Sequence, residues 1–198
     1  MKWVIRILAG LAGLILLAIA ILWLAGFRSG HDHIIAEVQI DRSAPQVFRY
    51  LTDDDLVKKW ISGLVEIKSM ATPADGSQVG RKYQVGEVYN GQRVDMEMTV
   101  TRYEKDRRLS LYVTSVGHPG IDFTEAGDYT LAEENGKTRL RFEVKTKYLG
   151  FMPRLFEPFI TPAATKKLNE DFQRMKQLVE AEPKTIGRQA EKFASRGA

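Results

Sequence analysis

From about residue 64 to residue 148 the apolar side chains recur at every second position, in runs separated by turns. This pattern limits the fold more than any other feature of the chain, because a period of two places one set of side chains on each face of an extended strand. The clearest run is "VDMEMTV", with Val94, Met96, Met98 and Val100 on one side. In "LRFEVKTKY", Leu140, Phe142 and Val144 alternate with Arg141, Glu143 and Lys145. One dry face and one wet face describe an antiparallel sheet covered on one side only. Two Asn-Gly pairs, Asn90-Gly91 and Asn135-Gly136, stand between alternating runs and predict tight hairpins whose turn residues need positive φ. The predicted strands span 64–72, 79–89, 92–104, 108–116, 122–132 and 137–148.

The dry face needs a cover, and both flanks of the strand region offer one. Upstream, Ala36, Val38 and Ile40 alternate with Glu37 and Gln39, which predicts a first strand over 34–41. "SAPQ" follows, with Ser43 and Gln46 in capping-box spacing and Pro45 in the first turn of a short helix carrying Val47, Phe48 and Leu51. Asp53, Asp54 and Asp55 come next. Their place before Leu56, Val57, Trp60 and Ile61 makes them the cap and first-turn acids of a second short helix rather than cation ligands, with Gly63 ending it. Downstream, Thr161-Pro162 reads as a helix start, and Leu168, Phe172, Met175 and Val179 follow at helical spacing until Pro183. The proline-broken "LGFMPRLFEPFI" before Thr161 reads as a helical or irregular lead-in.

An uncharged stretch, residues 7–27, precedes all of this. At 1.5 Å per residue it spans about 32 Å, enough to cross the roughly 30 Å hydrocarbon core of a bilayer. Its only Ala-X-Ala lies inside the apolar run, so an uncleaved anchor is expected in place of a signal peptide. Lys2 and Arg6 at the amino terminus place that end in the cytoplasm and the domain on the opposite, extracytoplasmic side. Residues 28–33 read as a linker, and residues 183–198 as a mobile basic tail. His31, Asp32 and His33 lack a third ligand group in the sequence near them, so no metal site is expected.

Net charge is +4, from 29 basic and 25 acidic residues. Seven of those bases and two of the acids lie in segments 1–33 and 183–198, which leaves 22 bases and 23 acids between 34 and 182. A neutral middle argues against nucleic-acid binding, which needs clustered positive charge. Cysteine is absent, which excludes disulfides and thiolate chemistry. His118, in "GHPG", reads as a turn residue, and no nucleophile, phosphate-loop or paired-histidine motif occurs. No catalytic residue, metal or cofactor is assigned.

The order strand, two short helices, six strands, long helix, together with Ile40, Ala44, Val47, Leu51, Asp53 and Trp60 and with Leu168, Asp171, Met175, Lys176, Leu178, Val179 and Glu180, resembles the SRPBCC superfamily of helix-grip proteins, its polyketide cyclase/dehydrase-like group above all. The likeness covers residues 34–182. It implies an α+β helix-grip fold, in which a curved antiparallel sheet of about seven strands grips the long C-terminal helix behind one transmembrane helix. It also implies an apolar small molecule or lipid held between sheet and helix. Two functions fit, a membrane-anchored binder or carrier and an enzyme of the cyclase or dehydratase type acting in the same pocket. The expected lining is Val85, Met96, Met98, Phe123, Tyr129, Phe142 and Val144 from the sheet and Phe156, Phe159, Phe172 and Met175 from the C-terminal segment.

Overall fold

The computed structural model describes residues 2–26, 31–89, 91–116 and 122–183. The chain runs α1 (Lys2–Gly26), β1 (His31–Ile40), α2 (Ala44–Thr52), α3 (Asp54–Trp60), β2 (Leu64–Ala71), β3 (Lys82–Tyr89), β4 (Gln92–Glu104), β5 (Arg108–Val116), β6 (Asp122–Glu134), β7 (Lys137–Leu149) and α4 (Phe151–Ala181). All seven strands join one antiparallel sheet in the order β1-β7-β6-β5-β4-β3-β2. Hairpin neighbours build β2 to β7, and β1 closes the far edge by pairing with the last strand. Asn135 and Gly136 both take positive φ (52° and 72°), as the predicted hairpin requires. Asn90, the 117–120 turn with His118, residues 28–30 of the expected linker and the tail from residue 184 lie outside the described residues.

Several local expectations need correction. β1 begins at His31, because Asp32 and His33 pair across to Thr146 and Lys145, and His33 Nε2 lies 2.9 Å from Glu143 Oε1. The capping box at Ser43 does not form. Instead Ser43 Oγ donates to Gln46 Oε1 (3.2 Å), Gln46 Nε2 donates to the Pro183 carbonyl (3.1 Å), and Glu133 Oε2 of β6 accepts the Ala44 N–H (2.7 Å). A carboxylate from another element thus takes the place of the local cap, in the position the helix dipole favours. Asp53 does cap α3, accepting from the N–H groups of Asp55 (3.0 Å) and Leu56 (3.2 Å).

The largest difference is in α4. Thr161 is not its start, since one helix of 31 residues carries both Pro158 and Pro162 inside it. Each proline removes an N–H from the helical ladder. Hydroxyl groups knit the region together: Thr161 Oγ1 donates to the Glu157 carbonyl (3.0 Å) and Thr165 Oγ1 to the Thr161 carbonyl (2.8 Å). Thr161 Oγ1 also contacts the Asp32 carboxylate, tying this half of α4 to β1.

The other end of α4 is clamped by charge. Arg42, buried in the β1–α2 corner, donates to the carbonyls of Asp41 (2.6 Å), Glu180 and Glu182 (3.0 Å from Nε). A cation at carbonyls left open by the helix end is the favourable partner for that end of the dipole. Tyr50 donates to Glu182 Oε1 at 2.8 Å; burial, then this carboxylate, pushes its hydroxyl up to about 12. Above the clamp the core closes around Trp60, Phe172, Met175 and Val179, with Trp60 Nε1 donating to the Tyr50 carbonyl at 2.8 Å.

Candidate functional site

Register determines which side chains share the concave face. One cross-strand row runs Asp32, Thr146, Glu125, Val113, Met98, Tyr83, Ser69, from β1 to β2. The next row toward the 117–121 end of the sheet includes Tyr148, Phe123, Met96, Val85 and Ile67. On the other side lie Ile34, Val144, Gly127, Leu111, Val100 and then Ala36, Phe142, Tyr129, Leu109. α4 packs over β1 and β7. Its inward stripe is Pro153, Glu157, Thr161, Thr165 and Leu168 in the first half, then Asp171, Phe172, Met175 and Val179 in the second.

These two halves do different things. The second half is large and apolar and is buried against the sheet. Tyr129 stacks on Phe142 (4.1 Å between centroids, 21°), Phe142 lies 6.5 Å from Phe172, and Phe172 lies 6.1 Å from Trp60. The first half offers small and polar side chains, which cannot fill the space above the open rows. Met96, Met98, Val113 and Phe123 consequently remain half-buried. These half-buried apolar side chains on β4, β5 and β6 lie beyond the two strands, β1 and β7, that α4 packs over, and protein interiors are normally close-packed.

The eleven expected lining residues divide accordingly. Met96, Met98 and Phe123 are half-buried on the concave face, and Val85 and Val144 are buried there. Tyr129, Phe142, Phe172 and Met175 belong to the closed core or pack against it, and Phe172 and Met175 are only 1% and 0% exposed. Phe156 (48% exposed) and Phe159 (74% exposed) are exposed on α4, whereas Glu157 of the same helix is buried.

Polar groups that the sequence reading missed sit among the apolar ones. Thr146 Oγ1 donates to Glu125 Oε1 (3.1 Å). Burial raises the Glu125 carboxyl above the usual range, with Glu87 and Asp32 adding to the effect and the Thr146 hydroxyl opposing it. Tyr148 is raised by burial and then by Asp32, Glu125 and Glu157. Lys167 of α4 meets Glu87 of β3 at 3.0 Å and Asp171 of its own helix at 2.9 Å. Burial alone would lower Lys167, but the two acids outweigh it and raise it. Asp171 Oδ1 also accepts the Ser62 N–H (3.0 Å). Glu87 and Glu125 share the register of Val85 and of Phe123 and Tyr129, and an acid standing in an apolar phase is the signal that would have found them. Two open, polar-lined depressions of about 370 and 330 Å³ lie elsewhere, on the outer face of α4 around Arg174 and beside Lys167 near Ser62. Neither includes the methionine floor.

No curated protein matches the chain. The crystal structure of Ara h 8.0201 superposes with a TM-score of 0.61 at 13% identity, over 77% of this chain and 100% of that one. A conserved protein from Geobacillus kaustophilus gives 0.62 at 15% identity, over 75% and 95%. Protein MLL2253 from Mesorhizobium loti gives 0.56 at 22% identity, over 77% and 99%. At these identities the likeness is one of fold, and that fold is the helix grip. A family model described as "Polyketide cyclase / dehydrase and lipid transport" matches residues 31–180, from the first residue of β1 almost to the end of α4. The chain belongs to the polyketide cyclase/dehydrase and lipid transport family.

Proposed function

We propose that this protein binds an apolar small molecule or lipid in the groove between its sheet and the first half of α4, and that α1 holds the domain at a membrane. The half-exposed floor of Met96, Met98 and Val113 carries the reading. Methionine is unbranched and polarisable, which suits a wall that adapts to a flexible apolar guest, and the few polar groups nearby would orient it. The lipid transport in the family's description is in keeping with this.

The anchor rests on α1, which is long and apolar enough to cross a bilayer and has Leu14, Leu16 and Leu24 all largely exposed. Lys2 and Arg6 in its first two turns favour a cytoplasmic amino terminus, with the domain on the other side. Native mass spectrometry of the full chain, released from mild detergent, tests binding: a bound species of defined mass that organic solvent extracts supports it, and a bare protein mass together with no saturable uptake of added lipid opposes it.

One observation favours an enzyme of the cyclase or dehydratase type acting in the same groove. Glu125 is a carboxyl whose pKa burial raises, beside half-buried apolar side chains, the direction of tuning expected of a general acid or base. Conversion of a ligand extracted with the protein, abolished in Glu125→Gln, would favour this second reading.

A further inference from the structure

Where β1 begins and β7 ends, three carboxylates gather beside the groove. Asp32, Glu125 and Glu157 all act on Tyr148, and Asp32 and Glu125 stand in one cross-strand row on either side of Thr146. Asp32 accepts from the Thr161 hydroxyl and the His33 N–H, and Glu125 from the Thr146 hydroxyl. Glu157 differs. It is 7% exposed, and its Oε2 is buried with no hydrogen-bond partner among the described residues. Arg154, one turn earlier, directs its Nε to the Tyr148 carbonyl (3.3 Å), and no Lys or Arg among the described residues forms an ion pair with any of the three acids.

A buried carboxylate oxygen without a partner is costly, so such an atom in a native site points to a partner supplied from outside. The nature of that partner follows from charge and shape. An anionic headgroup would add to the repulsion. A metal ion needs ligands converging on one point, and no three acids or histidines among the described residues do so. An organic cation is larger and brings its own hydrogen-bond donors.

We propose that the Glu157 end of the groove receives the ammonium group of an amphipathic amine, whose apolar chain lies over Met96, Met98 and Val113. This rests on the reading of the groove as an apolar binding site. The ammonium donates to Glu157 Oε2, with Glu125 as a second acceptor, and charge-assisted bonds of this kind are about twice as strong as neutral ones.

The test uses the full chain in one fixed detergent and a neutral fluorescent apolar dye, displaced in turn by decylamine, decanol and decanoate at pH 7. The account expects decylamine to displace the dye at a concentration about tenfold below that of decanol, as a charge-assisted bond implies, with decanoate weakest. In Glu157→Gln the amine-to-alcohol ratio should fall to near one. Glu125→Gln, which should narrow the ratio in part, supplies a second reading if the first variant does not fold. Equal displacement by amine and alcohol in the parent protein overturns the ammonium site while leaving the apolar groove standing. Failure of the dye to bind saturably overturns the groove reading and this proposal with it.

Discussion

Lys167 of α4 reaches Glu87 of β3 at 3.0 Å while holding Asp171 of its own helix at 2.9 Å. The contact reaches beyond the strands that α4 packs over, so it ties α4 to the β3 side of the sheet and of the proposed groove. Lys167→Ala removes the bridge and leaves the buried Asp171 with less support. We expect a stability loss of about 1–3 kcal/mol in denaturant titrations, as for a buried acid deprived of a partner, and faster exchange of bound dye in stopped-flow. Unchanged exchange would show that the bridge does not control entry.

Arg42 anchors the opposite end of α4 through the carbonyls of Asp41, Glu180 and Glu182. Arg42→Met keeps the apolar stem and removes the donors. The expected cost is about 2–4 kcal/mol, from bonds to a charged group and the helix-end interaction. Thermal unfolding followed by circular dichroism would measure it, and a change under about 0.5 kcal/mol, the usual size for a surface substitution, would refute the clamp.

Gly127 lies under the aromatic stack. A Cβ built there would come within 2.8 Å of Phe142 Cε2, and the ring cannot retreat freely because Tyr129 stacks on it. Gly127→Ala should destabilise the domain by about 1–3 kcal/mol, the range for overpacking. The measurement is the urea midpoint, and an unaffected midpoint would mean that the stack gives way easily.

The raised carboxyl of Glu125 gives a pH prediction. Because the folded value lies above the ordinary value of about 4.5, folding favours the protonated form. Below the ordinary value neither state loses anything. As pH rises from there through the folded value, the unfolded chain ionises first and stability falls, then levels off. Glu125→Gln removes this loss, so the variant should match its parent near pH 4 and exceed it at pH 7, by melting temperature at each pH. A variant less stable than its parent at pH 7 would show that the ionised carboxylate is the favoured form.

Period-two alternation made the sheet legible, most clearly in β6 and β7, where buried and more exposed residues alternate along much of the strand. The α3 cap was legible for a similar reason: Asp53 bonds to N–H groups two and three residues away. What escaped depended on distant partners. Glu133 caps α2 from β6, and Asp32 secures Thr161 from β1, so local capping rules misplaced one cap and one helix start. The outward position of Phe156 and Phe159 was recoverable, since continuing the Phe172, Leu168 phase backward reaches Thr165, Thr161 and Glu157. The apolar character of the two phenylalanines outweighed their phase.

The central claim is that an apolar ligand lies over the methionine floor, between the sheet and the first half of α4. Photolabelling tests it most directly: an alkyl chain bearing a diazirine is added to the full chain, irradiated, and the labelled residues are identified by peptide mass spectrometry. The account predicts label on Met96, Met98, Val113 and Leu168, competed away by unlabelled ligand. Label confined to α1 and to the exposed Phe156 and Phe159, with the methionine strand untouched, would contradict it.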